Sequence, residues 1–221
     1  MKFYIISDTH GEHAKLGRLS GDVLIHCGDF AIGSHNEEAT LKDLDHWFGE
    51  QAFGQVICVG GNHDFLVEEK RRRGEPIFRN AVCLQDELLE VGGIRFYGAP
   101  WVPELTEWAH FLAPVELQRA WQRIPQDLDV LITHTPPRGI RDLNSRGQAC
   151  GCELLRERVL AVRPRVHCFG HIHASAGTES RQHTHFVNAA SVNSQYKLSR
   201  EPVVVHIDHG KVRVSSSEEP S

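Results

Sequence analysis

The sequence has no long apolar run: no hydrophobic stretch approaches the roughly 18–20 residues that a membrane-spanning helix needs. It also lacks a signal-peptide pattern, because Lys2 leads directly into a short apolar run that ends before Asp8. We therefore expect a cytoplasmic protein with no membrane partner, and no obligate protein partner is evident. The 221 residues, 40% of them hydrophobic, favour one domain over residues 1–214 and a disordered tail over 215–221.

A large excess of charge and a recognisable cysteine motif are also missing. The formal net charge of -5 argues against a generic binder of polyanions, although bound divalent cations would add positive charge locally. Of the six cysteines, most are expected to be reduced core thiols. Cys150 and Cys152 lack the spacing of a zinc finger or a thioredoxin-like motif, so a metal or redox role for that pair is the weaker alternative.

What the sequence does contain is five apolar runs that are each followed at once by metal-binding side chains. The runs, rich in β-branched and aromatic residues, are typical of buried strands; they cover residues 3–6, 23–26, 56–59, 130–132 and 166–169. The segments that follow are 7–11 (SDTHG), 27–29 (CGD), 60–64 (GGNHD), 133–135 (THT) and 170–173 (GHIH). Because ligands of open α/β sheets lie beyond the carboxyl ends of strands, we expect a binuclear metal site at one edge.

The other elements that we predict make an α/β protein. Helices are expected over 37–53, 65–73, 114–123 and 152–162, and Gly92-Gly93 between two short strands indicates a hairpin. Three more strands are expected over 184–188, 203–207 and 212–214. Histidines away from the strand ends, namely His35, His46, His110 and His209, are interpreted as exposed surface residues.

Oxygen ligands from Asp and Asn combined with imidazole nitrogens suit Mn²⁺, Fe²⁺ or Zn²⁺, and Mn²⁺ is the first choice over Fe²⁺, Zn²⁺ or Ni²⁺. Because no cysteine joins the set, a structural zinc site is not expected. Two ions about 3.5–4 Å apart can clamp both oxygens of an in-line phosphoryl displacement and provide hydroxide at neutral pH.

Taken together, the five motifs over residues 3–192 resemble those of the calcineurin-like metallophosphoesterase superfamily. The stretch 133–142 (THTPPRGIRD) is also similar to the class III branch, which includes cyclic nucleotide phosphodiesterases and animal metallophosphoesterase-domain proteins. The resemblance implies a four-layer α/β/β/α sandwich with mixed sheets.

The resemblance also implies a role for each residue of the site. One ion would be held by Asp8, His10 and His173, the other by Asn62, His134 and His171, and Asp29 would bridge them. Neither ion would be bound by His63, which would protonate the leaving oxygen or stabilise charge in the transition state. A hydrogen bond from the other ring nitrogen of His63 to the carboxylate of Asp64 would then fix the tautomer of His63.

The function expected from this set is metal-dependent hydrolysis of phosphodiester bonds by metal-activated hydroxide. Nucleic acid, including single-stranded DNA or RNA, and cyclic nucleotides are the candidate substrates. A phosphomonoesterase and a non-catalytic scaffold that keeps the fold are the alternatives. Candidate substrate contacts are His13, Arg138, Arg141 and Asn144, because arginine pairs well with phosphate oxygens. The basic run 70–73 (KRRR) is either a solvated helix end or a track for a nucleic-acid backbone.

Overall fold

In the computed structural model, which describes residues 1–33, 36–208 and 211–215, two mixed six-stranded sheets pack face to face with helices on both outer sides. The strands are β1 Lys2–Ile6, β2 Ser20–His26, β3 Ala52–Cys58, β4 Val82–Cys83, β5 Glu87–Val91, β6 Ile94–Ala99, β7 Val130–Thr133, β8 Val166–Phe169, β9 Gly177–Arg181, β10 Thr184–Asn188, β11 Val203–Asp208 and β12 Lys211–Ser215. The helices are α1 Glu37–Glu50, α2 Phe65–Arg73, α3 Pro114–Gln122 and α4 Glu153–Val162, with short 3₁₀ turns at His13–Leu16 and His173–Ser175.

The first sheet has the strand order β12-β11-β1-β2-β3-β4, and the second has the order β5-β6-β7-β8-β10-β9. Strands β1 to β4 are parallel to one another, as are β6, β7, β8 and β10. The antiparallel strands β5, β9, β11 and β12 lie towards the sheet edges. The parallel strands are therefore central, and their carboxyl ends supply the site.

Alternation along each strand creates three apolar layers. Phe3 and Ile5 of β1 face the second sheet, where the Phe3 ring meets Phe96 edge-on at a centroid distance of 5.6 Å. Ile6 and Leu24 point outwards and pack in the cluster that contains Leu44 of α1. The outer face of the second sheet packs on α3 and α4 in the same way. The four-layer α/β/β/α architecture is thus confirmed, and parallel strands buried on both faces explain the continuous apolar runs.

Two expected boundaries differ from the structure, and one strand was not expected. The predicted helix over 37–53 ends at Glu50, because the chain turns at Gln51 and enters β3 at Ala52. Strand β9 was not expected: its sequence GTESR is polar, and it is defined by backbone pairing with β10 at the sheet edge. The tail expected to be disordered lies outside the described residues from 216 onwards, while Ser215 ends β12.

Among the elements in the described ranges, no helix combines the length and the apolar character required to cross a bilayer.

Candidate metal centre

The loops after the central strands bring two groups of three potential metal ligands together. One group consists of Asp8, His10 and His173, and the other of Asp29, His134 and His171. Within each group the ligand atoms all lie within 4.8 Å of one another. The sheets explain this arrangement, since β1 and β2 are neighbours in one sheet and β7 and β8 in the other.

Asp29 belongs to the second group and also faces His10 of the first. Its Oδ1 is 3.4 Å from Nε2 of His134, and its Oδ2 is 3.7 Å from Nε2 of His10. The amide of Asn62 joins the second group, because its Oδ1 is 3.0 Å from the same nitrogen of His134. One carboxylate oxygen therefore faces each group, which is the geometry that a bridging ligand requires.

Three of the four histidines are held with Nε2 available for a metal. The Nδ1–H of His10 donates to the carbonyl of Ala31 (2.9 Å), that of His134 to the carbonyl of Cys27 (2.8 Å), and that of His173 to the carbonyl of Asn193 (3.3 Å). Metal-binding histidines usually donate their second ring nitrogen in this way, which fixes the tautomer. His10 Nε2 is buried with no hydrogen-bond partner among the described residues. The donor set and its orientation therefore fit divalent cations.

The backbone at the site is locally strained. Four of the candidate ligands adopt positive φ angles: Asp8 (51°), His10 (45°), Asp29 (57°) and His171 (68°). Such conformations cost non-glycine residues on the order of 1–3 kcal/mol each, and they persist where the surrounding structure enforces them. Two glycines permit the close approach of backbone to ligand, since a Cβ would lie 2.3 Å from Asp29 Oδ1 at Gly61 and 2.0 Å from Asp8 Oδ2 at Gly170.

Opposite charges dominate the electrostatics of these buried groups. Burial opposes ionisation of Asp8, but the hydrogen bond from His173 and the charge of His134 outweigh it and lower the pKa of Asp8 to about 2. Burial likewise opposes protonation of His134, yet the Asp29 carboxylate raises the pKa of His134 to about 9. In His171, burial prevails and lowers the pKa to about 4. The two carboxylates thus attract positive charge strongly, whether it is carried by imidazolium or by a metal ion.

His63 lies at the rim of the site, beside the bridging carboxylate. Its backbone N–H donates to Asp29 Oδ1 (2.9 Å), and its Nε2 is 3.9 Å from Asp29 Oδ2. The expectation that Asp64 orients the His63 ring is wrong. The carboxylate of Asp64 instead accepts backbone N–H groups of Gly61 (2.7 Å), Asp29 (2.9 Å) and Phe30 (2.8 Å). Asp64 therefore fastens the loops after β2 and β3 to each other.

A surface cavity of about 290 Å³ opens in front of these ligands. Among the predicted substrate contacts, Asn144 lines this cavity. The side-chain oxygen of Asn144 also accepts hydrogen bonds from the backbone N–H groups of Arg146 and Gln148. Arg138 lines a separate cavity with Pro103 and Leu117. The guanidinium of Arg141 donates to the carbonyl of Thr178 and lies near Glu179, away from the cavity lining.

The remaining predicted contact, His13, is fully buried. Its Nε2 donates to Asp43 Oδ2 (3.0 Å), and its ring packs against Trp47. It therefore has no exposed surface for a substrate and joins the 3₁₀ turn to α1. His110, expected at the surface, is also buried, and its backbone N–H donates to Glu68 Oε1 (2.8 Å). His46 is exposed as expected, while His35 and His209 lie outside the described residues.

The basic run at the end of α2 is partly paired within the molecule. Arg71 donates to the carbonyl of Cys83 and binds Glu87, and Arg73 binds Glu69. These contacts favour the solvated helix end for both arginines.

Two aromatic residues at the site were missed by the sequence analysis. The Tyr196 ring lies 4.8 Å from that of His10 and 5.6 Å from that of His173, and the Trp108 ring lies 4.6 Å from that of His63. Both belong to loops whose sequences carry no periodic pattern. The one unusual feature in these loop sequences is a tryptophan, Trp108, in a polar segment that contains prolines. That feature does not show which part of the structure the tryptophan contacts.

A family model and two relatives of known sequence all place this chain in the same protein family. The family model described as calcineurin-like phosphoesterase matches residues 1–175. UPF0046 protein T07D4.2 of Caenorhabditis elegans is 33% identical over 94% of this chain, which spans 60% of that relative's length. The human metallophosphoesterase domain-containing protein 1 is 32% identical over 93% of this chain, which spans 71% of that protein.

Solved structures agree at the level of the fold. One superposes with a TM-score of 0.66 at 15% identity, covering 97% of this chain and 98% of its own. Another, GAP50, described as the anchor in the inner membrane complex of Plasmodium, superposes with a TM-score of 0.59 at 11% identity. It covers 99% of this chain and 85% of its own.

Proposed function

This chain belongs to the calcineurin-like phosphoesterase family of metal-dependent hydrolases, and from that premise we propose that it is a binuclear phosphodiesterase. The proposed substrates are phosphodiesters of nucleic acid, single-stranded DNA or RNA included, or cyclic nucleotides.

The observation that carries this proposal is the placement of Asp29 between two complete ligand groups. We assign one ion to Asp8, His10 and His173, and the other to Asn62, His134 and His171, with Asp29 bridging. Mixed carboxylate, amide and imidazole donors favour Mn²⁺, with Fe²⁺, Zn²⁺ and Ni²⁺ as alternatives. When bound, such ions supply Lewis-acid stabilisation of phosphate charge and lower the pKa of water.

The chain's own residues would orient the substrate and deliver a proton. The side chain of His63 is 12% exposed, and its Nε2 lies 3.9 Å from Asp29 Oδ2. Burial lowers the pKa of His63, so a protonated ring readily gives its proton to the leaving oxygen. Asp64 keeps the loop that carries His63 in place through three backbone hydrogen bonds. The carbonyl groups of Ala31, Cys27 and Asn193 keep the histidine rings oriented.

A phosphomonoesterase would use the same ligands, and a scaffold would not need them. The two intact ligand groups and their oriented tautomers favour an enzyme over a scaffold. The surface cavity in front of the site favours a diester, because the second ester group needs room beside the phosphate.

The test is turnover of bis-p-nitrophenyl phosphate and of p-nitrophenyl phosphate by metal-stripped protein, alone and with Mg²⁺, Mn²⁺, Fe²⁺, Ni²⁺ or Zn²⁺. We expect no turnover in chelator, recovery with Mn²⁺ above all, and a preference for the diester. Full activity in chelator, or none with any ion, would overturn the proposal. A preference for the monoester would establish the phosphomonoesterase instead.

A further inference from the structure

Two large aromatic side chains remain exposed at the rim of the candidate metal centre. Trp108 is 40% exposed and Tyr196 is 39% exposed, whereas most of the large apolar residues are buried. Both rings contact His63, at centroid distances of 4.6 Å for Trp108 and 6.2 Å for Tyr196. Exposed aromatic faces beside the proposed proton donor therefore border the place where the substrate must lie.

Tyr196 is held in a strained turn that points it at the site. Its φ of 57° is in the left-handed region, which is unfavourable for a bulky residue. The side-chain oxygen of Asn193 accepts the N–H groups of Gln195 (2.9 Å) and Lys197 (3.2 Å), and the Tyr196 N–H donates to the carbonyl of Asn193 (3.0 Å). That carbonyl also accepts from His173, so the turn is tied directly to a candidate ligand.

Trp108 is likewise tied to the site. The N–H of the next residue, Ala109, donates to the carbonyl of Asn62 (3.1 Å), and the Trp108 N–H donates to Leu105 (3.0 Å). The indole packs on Phe65, the first residue of α2, at 6.1 Å. Separate loops thus place the two rings beside His63.

The cavity in front of the metal centre, which Tyr196 and His63 line, suits a flat group better than a second phosphate. Apart from the candidate ligands and His63, its polar lining residues are the uncharged Asn144, Ser145, Ser194 and Tyr196. No lysine or arginine is part of that lining among the described residues. Its volume of about 290 Å³ is near the lower limit of small-molecule sites, which is about 300 Å³.

We propose that Trp108 and Tyr196 form a stacking subsite for a nucleobase attached to the phosphate that the metal centre binds. This inference rests on the proposed function and specifies its substrate class. Bases stack on aromatic side chains with little dependence on their identity, because every base has a π face. The subsite therefore selects esters of nucleosides over alkyl esters without selecting a base sequence.

The test compares two competitive inhibitors of bis-p-nitrophenyl phosphate hydrolysis, thymidine 5′-monophosphate and 2-deoxyribose 5-phosphate, which carries a hydroxyl group in place of the base. Trp108→Ala and Tyr196→Ala should each raise Ki for the thymidine compound by about tenfold, within the range of single base stacking. Neither should change Ki for the sugar phosphate by more than about twofold. Trp108→Phe and Tyr196→Phe should retain most of the discrimination, and Val115→Ala, which is exposed on α3, is the control.

Equal changes in both Ki values, or no change in either, would overturn the subsite and leave the phosphodiesterase proposal intact. Absence of turnover by the wild type with every metal would overturn the proposed function. In that case, quenching of tryptophan fluorescence by thymidine 5′-monophosphate tests the stacking subsite without any need for turnover. Quenching that is lost in Trp108→Phe supports it, and no quenching in the wild type overturns it.

Discussion

His167 offers a test of how burial of a neutral histidine controls the pH dependence of stability. The side chain lies in β8 and is fully buried, beside the rings of Phe169 and Phe186. The Thr133 hydroxyl donates to the carbonyl of Thr135 (2.8 Å), so it accepts the Nε2–H of His167 (2.9 Å). Nδ1 has no hydrogen-bond partner within the described part of the chain, and burial lowers the pKa of His167 to about 3.

The sign follows from the protons that each state binds. Between pH 6.5 and pH 3, His167 is protonated in the unfolded chain, where its pKa is about 6.5, but not in the folded protein. Acid therefore favours unfolding, and the folded state loses stability as the pH falls below 6.5. From pH 7 to pH 5 this one residue should lower the free energy of unfolding by about 2 kcal/mol.

His167→Phe removes that contribution while keeping a ring of similar size and leaving the hydrogen bond from Thr133 to Thr135 intact. We would measure urea unfolding by circular dichroism at pH 7 and pH 5, in chelator so that metal binding does not contribute. The free energy of unfolding should fall from pH 7 to pH 5 in the wild type. That fall should be smaller by about 2 kcal/mol in the variant than in the wild type.

The matched control is His46→Phe, the same replacement on the exposed side of α1, which shows whether any such change alters the pH dependence. If the wild type and His167→Phe lost the same stability between pH 7 and pH 5, His167 would bind protons equally in both states. The reasoning from its burial would then be refuted.

Two further predictions concern the metal centre. Asp29→Ala should lose both ions and all turnover, because two cations at short range repel each other once the bridging carboxylate is removed. Elemental analysis of the purified variant checks this, and two retained metals per chain would exclude Asp29 as the bridge. His63→Ala should keep both ions and lose about 10²–10⁴-fold in rate on a dinucleotide, whose alkoxide needs a proton, but far less on bis-p-nitrophenyl phosphate. Equal losses on the two substrates would assign His63 to charge stabilisation, and loss of an ion would make it a ligand.

The ligand set was predictable from the sequence because strand ends are local signals. An apolar run of four or five residues identifies a buried strand, and parallel strands bring their carboxyl ends to one edge. Asp8, Asp29, Asn62 and His134 follow such runs, and the structure brings them together. The four layers were implied by family resemblance, and the double-sided burial of the parallel strands agrees with that.

The roles of single side chains were less accessible. Asp64 was expected to orient the ring of His63, which directly precedes it in the sequence. The carboxylate of Asp64 instead accepts hydrogen bonds from three backbone N–H groups. His13 follows the first motif closely and still points into the protein, towards Asp43. In both cases the direction of a side chain depends on loop conformation, which neither residue type nor spacing specifies.

The sequence by itself determined which metal-binding donors are present and that they follow the ends of buried strands. Only the tertiary structure decided how the donors are oriented. The histidine tautomers are fixed by the backbone carbonyls of Cys27, Ala31 and Asn193. Every residue has a backbone carbonyl, so the sequence cannot show which of them accept these hydrogen bonds. The approach of Trp108 and Tyr196 to His63 likewise depends on loops whose paths are set by long-range hydrogen bonds and packing, which no local pattern encodes.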